Sequence, residues 1–99
     1  MFNKIIRQEE LLLFKHVTVH PRVHQRHPEI EDTDVITAWR NAIALYRRNY
    51  DQPEHYVATG ADNKSRMLEM VGVETEDGGI YIYHAMKLSQ KMKSELGLL

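Results

Sequence analysis

The sequence predicts an α+β domain: a small antiparallel sheet, built from a C-terminal three-strand meander and an N-terminal strand, packed with helices. Three observations carry this reading. Val35, Trp39, Ala42, Ile43 and Tyr46 recur at helical spacing over residues 32–48. The turn signals Ala61-Asp62-Asn63-Lys64 and Asp77-Gly78-Gly79 divide residues 55–86 into three extended runs. Val17-Thr18-Val19 is β-branched throughout and extends residues 11–19 as a further strand.

Each element has its local reasons. Residues 2–10 read as a short helix capped by Asn3, with Phe2, Ile5 and Ile6 on one side. Pro21 suits a first helical position and Pro28 a terminator, which leaves room for about two turns between them. Asp32, Thr33 and Asp34 give the long helix its cap and its negative first turn, with Arg47 and Arg48 at the far end. Residues 49–54 read as loop, broken by Asp51 and Pro53. The meander strands fall at 55–60, 66–74 and 80–86. A last helix over residues 89–96 carries Leu88, Met92 and Leu96 on one face and stops at Gly97.

With 99 residues the chain reads as a single domain, residues 1–99, with one core. It contains no cysteine, which removes disulfides, thiol nucleophiles and thiolate metal sites and fits a cytoplasmic location. The apolar runs are too short to cross a bilayer, and the N-terminus lacks a signal-peptide pattern, so no membrane partner is expected. Thirteen Lys and Arg stand against 14 Asp and Glu, so the chain lacks the basic excess usual in nucleic-acid binders. The charges are segregated, however: bases gather at residues 40–48 and 87–93, acids at 29–34 and 74–77.

The most informative stretch is Ile-Tyr-Ile-Tyr-His-Ala-Met at residues 80–86. In the register Ile80, Ile82, Met86, an ionisable ring, His84, interrupts the apolar side. Lys87, Lys91 and Lys93 follow at once, so an imidazole able to exchange protons near neutral pH lies beside cations able to hold phosphate. Glu69 falls among Met67, Val71 and Val73, where burial would raise its pKa and suit it to general-base work; pairing with Lys or Arg, or reaching water at the sheet edge, is the plainer use. Tyr81 and Tyr83 share a strand face and either stack on bases or pack under a helix. His20, His24 and His27 have a spacing a metal could use, but no HExxH or carboxylate pattern joins them, and no metal or other cofactor is expected. Arg26 among them fits phosphate oxygens through its planar fork. Cleaving RNA at its own 2′-hydroxyl needs only a base, an acid and positive charge, which these residues supply.

The segments Val17-Thr18-Val19-His20, Val23-His24-Gln25-Arg26 and Ile30-Glu31-Asp32-Thr33-Asp34-Val35 resemble BrnT-like toxins of the RelE-like ribonuclease fold. So do Arg66-Met67-Leu68-Glu69-Met70-Val71 and Ile80-Tyr81-Ile82-Tyr83-His84-Ala85-Met86-Lys87. The likeness spans roughly residues 17–96 and rests on spacing. It implies a RelE/BrnT-like fold and an endoribonuclease toxin of a bacterial toxin–antitoxin pair, with a cognate antitoxin and RNA as partners and homo-oligomerisation left open. By position it puts the family's functional residues on His20, Arg26 and His84. The sequence departs from the pattern where His84 replaces an arginine and Gln90-Lys91 an acidic-basic pair. The expected catalytic set is therefore His84 with Glu69 or His20 as counterpart and Arg26 beside them, with Arg66, Lys87, Lys91 and Lys93 holding RNA. A non-catalytic partner-binding module on the same fold is the alternative.

Overall fold

The computed structural model describes residues 3–5, 14–47 and 55–98. The elements run β1 (Asn3–Ile5), β2 (Val17–Val19), α1 (Pro21–Arg26), α2 (Asp32–Arg40), β3 (Ala42–Arg47), β4 (His55–Ala61), β5 (Met67–Glu74), β6 (Ile80–Lys87) and α3 (Gln90–Glu95). They form an α+β arrangement around one six-stranded sheet in the order β1-β3-β4-β5-β6-β2. All pairs are antiparallel except the edge pair β2–β6, which is parallel.

The meander lies where the turn signals put it, but the sheet is larger than predicted and mixed. Asn3–Ile5 pairs with β3 as a strand rather than opening a helix; the remainder of residues 2–10 and the expected loop at 49–54 lie outside the described residues. The helix expected over 32–48 ends at Arg40. Asn41 closes it, its N–H bonding the Thr37 carbonyl and its side-chain amide donating to Ala61 O across the sheet at 3.1 Å. The next six residues, Ala-Ile-Ala-Leu-Tyr-Arg, form β3 instead. A short apolar run carries no periodicity that separates helix from buried strand, and pairing with β4 decides the matter. A β-bulge at Ile43, between the pairs Ala42–Gly60 and Ala44–Thr59, turns that isoleucine outward, 67% exposed.

The two sheet faces are unequal. On one, α1 and α2 cover a core of Val23, Ile30, Val35, Trp39, Leu45, Leu68, Met70, Ile80 and Ile82, with Phe14 edge-on to both Trp39 and Tyr56. Gly60 of β4 permits this close packing, since a Cβ there would collide with the Ala38 carbonyl at the end of α2. On the other face α3 covers only part of the sheet, its Leu96 and Met92 packing on Ala44, Tyr46, Val57 and Val71. Tyr46 Oη donates to the Leu96 carbonyl at 3.2 Å, and Gly97 leaves the helix at φ +70°. No helix among the described residues is long and apolar enough to cross a membrane.

Candidate active site

The site is set by a second β-bulge. Gly72 pairs with Ile82 and Val71 with His84, so Tyr83 is an extra residue on β6. Before it, Ile80 and Ile82 enter the main core; after it, Ala85 does. His84 therefore does not interrupt the inward register. The bulge passes that register to Ala85 and sends Tyr83 and His84 together to the other face, beside Val71 and the buried Glu69.

There the imidazole is fixed. His84 Nε2 lies 3.0 Å from Glu69 Oε2, and its side chain keeps 33% of its surface exposed while Glu69 keeps 6%. The other carboxylate oxygen accepts from Ser89 N at 2.9 Å and Ser89 Oγ at 2.7 Å, and Ser89 Oγ in turn caps α3 by accepting from Met92 N at 3.1 Å. Burial pushes the Glu69 pKa up, but hydrogen bonds from His84 and Ser89 outweigh it and hold the carboxyl below its ordinary value. The expected raised pKa is thus corrected: Glu69 is an anion with its lone pairs engaged, which suits it to orient a ring and not to take a substrate's proton. An ionised carboxylate only accepts, so Nε2 carries the hydrogen and Nδ1 of the neutral ring is the atom left for proton exchange.

A cleft of about 250 Å³ opens beside this ring, lined by Arg22, Arg26, Val71, Tyr83, His84 and Met92. A smaller recess of about 80 Å³ continues it between α1 and β6. The two arginines reach it because they are four residues apart on α1, one turn of the helix, while Val23 on the neighbouring side anchors the helix in the core. The Arg22 guanidinium sits 5.7 Å from the Tyr83 ring centre, and its Nε is buried without a hydrogen-bond partner. A buried donor with no acceptor costs about 1–3 kcal/mol. An anionic group in the cleft would satisfy this donor with a charge-assisted hydrogen bond.

The other expected site residues are placed differently. His20 caps α1, its Nδ1 accepting from Arg22 N at 3.0 Å, and its ring lies 5.5 Å from Tyr81, so Nδ1 is occupied and the ring does not line the cleft. Arg66 is absent from the cleft; its guanidinium bonds Asp62 at 2.8 Å and the fully buried Asp34 at 3.0 Å, where Lys64 also binds. That network ties the start of α2 to the β4–β5 turn and engages Arg66 with carboxylates away from the cleft. Lys87 and Lys91 are exposed and Lys93 half-buried, and none of the three lines the cleft, although Met92, which does, stands between the last two. Of the three histidines weighed for metal, His24 bonds the Ile30 carbonyl at 2.9 Å and His27 faces Glu29 at 3.9 Å, and no group of metal-ligating side chains converges among the described residues.

The site thus unites His84, Glu69 and Arg26 and adds Arg22, Tyr83 and Ser89. Arg22 was legible in principle, from its one-turn spacing to Arg26 on a helix begun by Pro21. Ser89 was not, because its partner lies twenty residues away on another strand. No protein family, curated protein or solved structure matches this chain.

Proposed function

We propose that the chain is a metal-independent endoribonuclease, the toxin of a bacterial toxin–antitoxin pair on a RelE/BrnT-like fold, with a small cognate antitoxin as its inhibitor. The observation that carries this is the orphaned Arg22 donor in the cleft that also holds a carboxylate-oriented His84 and Arg26. An oriented base beside two guanidinium groups is the minimum needed for transesterification at an RNA phosphate.

In that reaction His84 Nδ1 accepts the 2′-hydroxyl proton as the 2′-oxygen bonds to phosphorus. The bond from phosphorus to the 5′-oxygen breaks, and that oxygen takes a proton from the imidazolium or from water, leaving a 2′,3′-cyclic phosphate. Arg22 and Arg26 meet the charge that develops on the non-bridging oxygens, and Glu69 stabilises the imidazolium. Lys87, Lys91 and Lys93 attract the flanking backbone through solvent, with Arg66 removed from that role.

The test is cleavage of RNA by the purified chain in EDTA. The expected result is a 2′,3′-cyclic end, no cleavage where the 2′-hydroxyl is replaced by hydrogen, and loss of activity in His84→Ala. Cleavage of the 2′-deoxy substrate, or equal activity in His84→Ala, overturns the proposal. A second reading, a partner-binding module without catalysis, is favoured by the near balance of 13 basic and 14 acidic residues; it predicts no cleavage at all.

A further inference from the structure

We infer that His27 is a second catalytic imidazole, the acid that protonates the leaving 5′-oxygen of RNA while His84 takes the 2′-hydroxyl proton. The inference rests on the ribonuclease reading and names the proton donor for its second half. β2 ends at Val19, opposite Ile82, so beyond that pair β6 has no further strand beside it among the described residues. There α1 lies along β6, its Val23 in the main core, and the recess of about 80 Å³ opens between helix and strand. His84 lines this recess from the strand, and His27, the C-cap of α1, lines it from the helix end. Arg22 and Arg26 line the same space. Two imidazoles on separate elements thus meet one phosphate-sized hollow that already carries two arginines.

The fold uses the backbone of His27 and leaves its ring over. Its N–H donates to the Val23 carbonyl and its carbonyl accepts from Ile30 N, both at 2.9 Å, closing α1. The rings of His16, His20, His24 and His84 each hold a hydrogen bond, with Asp77, Arg22 N, the Ile30 carbonyl and Glu69 respectively. The half-buried His27 ring instead has Glu29 Oε2 3.9 Å from Nδ1, beyond hydrogen-bond range. The reaction needs such a ring. Glu69 holds Nε2 of His84, so that imidazole has one nitrogen for exchange, and one atom cannot stand at both the entering and the leaving oxygen. As the 2′-oxygen bonds to phosphorus, its proton passes to His84 Nδ1. As the bond from phosphorus to the 5′-oxygen breaks, that oxygen takes the proton of the His27 imidazolium. The products are a 2′,3′-cyclic phosphate, a 5′-hydroxyl, protonated His84 and neutral His27, and exchange with water resets both rings.

The experiment compares ordinary RNA with a strand carrying sulfur in place of the 5′-oxygen at the bond the native chain cuts, both in EDTA. A thiolate leaves without being protonated, so an enzyme deprived only of its acid regains its rate on the sulfur strand. His27→Asn should lose roughly 10²- to 10⁴-fold in kcat on ordinary RNA and cut the sulfur strand at close to the native rate. His84→Ala should stay impaired on both. Affinity for a strand with a 2′-deoxy sugar at that bond reports the folded state, and His27→Asn should match the native chain there. Equal losses on both strands, or no loss on either, overturn the role of His27 and leave the ribonuclease reading standing on His84. Weakened affinity that accounts for the lost rate does the same. Failure of the native chain to cut either strand removes the ribonuclease reading and the acid with it.

Discussion

Glu69 and Ser89 are joined twice, backbone N–H and hydroxyl both donating to one carboxylate oxygen, while the other oxygen holds His84. One carboxylate therefore both ties the start of α3 to β5 and aims the imidazole. Ser89→Ala removes the hydroxyl from Glu69 and the cap from α3, a loss of about 1 kcal/mol. For a chain of this size that lowers the melting temperature by roughly 4–8 °C. A variant that melts with the native protein would show that the cap carries no weight.

Glu69→Gln keeps the shape of the side chain but removes the charge that stabilises an imidazolium. A charge-assisted hydrogen bond is worth about 1.5–3 kcal/mol, so kcat for RNA cleavage should fall roughly 10- to 100-fold with KM little changed. His84→Ala should cost roughly 10²- to 10⁴-fold, the range for a general acid–base group. An equal rise of KM in both variants would place these residues in binding instead.

The arginines should separate by salt dependence. Arg22→Met and Arg26→Met each remove one phosphate contact, so the slope of log affinity against log salt should lose about 0.7 per residue on single-stranded RNA. Arg66→Met should leave that slope unchanged and instead lower the urea midpoint, because it takes a charged partner from each of the buried Asp34 and Asp62. Titrations in increasing potassium chloride, paired with urea unfolding, read both quantities.

Acid should unfold the protein through three buried carboxylates. Burial raises the pKa of Glu69, Asp34 and Asp62, yet hydrogen bonds from His84 and Ser89, from Lys64, and from Arg66 respectively hold each below its ordinary value. The native state then binds fewer protons than the unfolded chain, so their stabilisation is complete above the ordinary carboxylate range and is lost as pH falls through and below it. The melting temperature should decline from about pH 4 downward, and Asp62→Asn should flatten that decline while lowering stability at neutral pH. A melting temperature independent of acid would contradict the network.

Gly60→Ala tests the seam between α2 and the sheet, where the added methyl would meet the Ala38 carbonyl. Overpacking of this kind costs about 1–3 kcal/mol. It should appear as a lower urea midpoint with RNA affinity unchanged in the folded fraction.

The meander, the two short helices flanking it and the start of α2 were legible because each is bounded by local chemistry: Pro21, the acids at 32–34, Asp77-Gly78-Gly79 and Gly97. The strand status of residues 42–47 was not. Ala42, Ile43 and Tyr46 continue the stripe of Val35 and Trp39, and nothing local reports that β4 is waiting to pair with them. Of the site, His84 and Arg26 were visible as chemistry out of place. The direction of the Glu69 pKa was hidden, since it depends on donors from another strand and from the start of α3. Arg66 misled because its acidic partners Asp34 and Asp62 come together only in the fold.

The single inserted residue at Tyr83 divides β6 into two reading frames, one per end. Removing it would restore an uninterrupted ladder with His84 still opposite Val71 and Ala85 still opposite Met70, and what would be lost is the Tyr83 ring from the wall of the cleft. A regular strand would serve this sheet equally well as architecture. The irregularity is what turns a supporting plank into a working surface, and its position in the sequence marks where that surface begins.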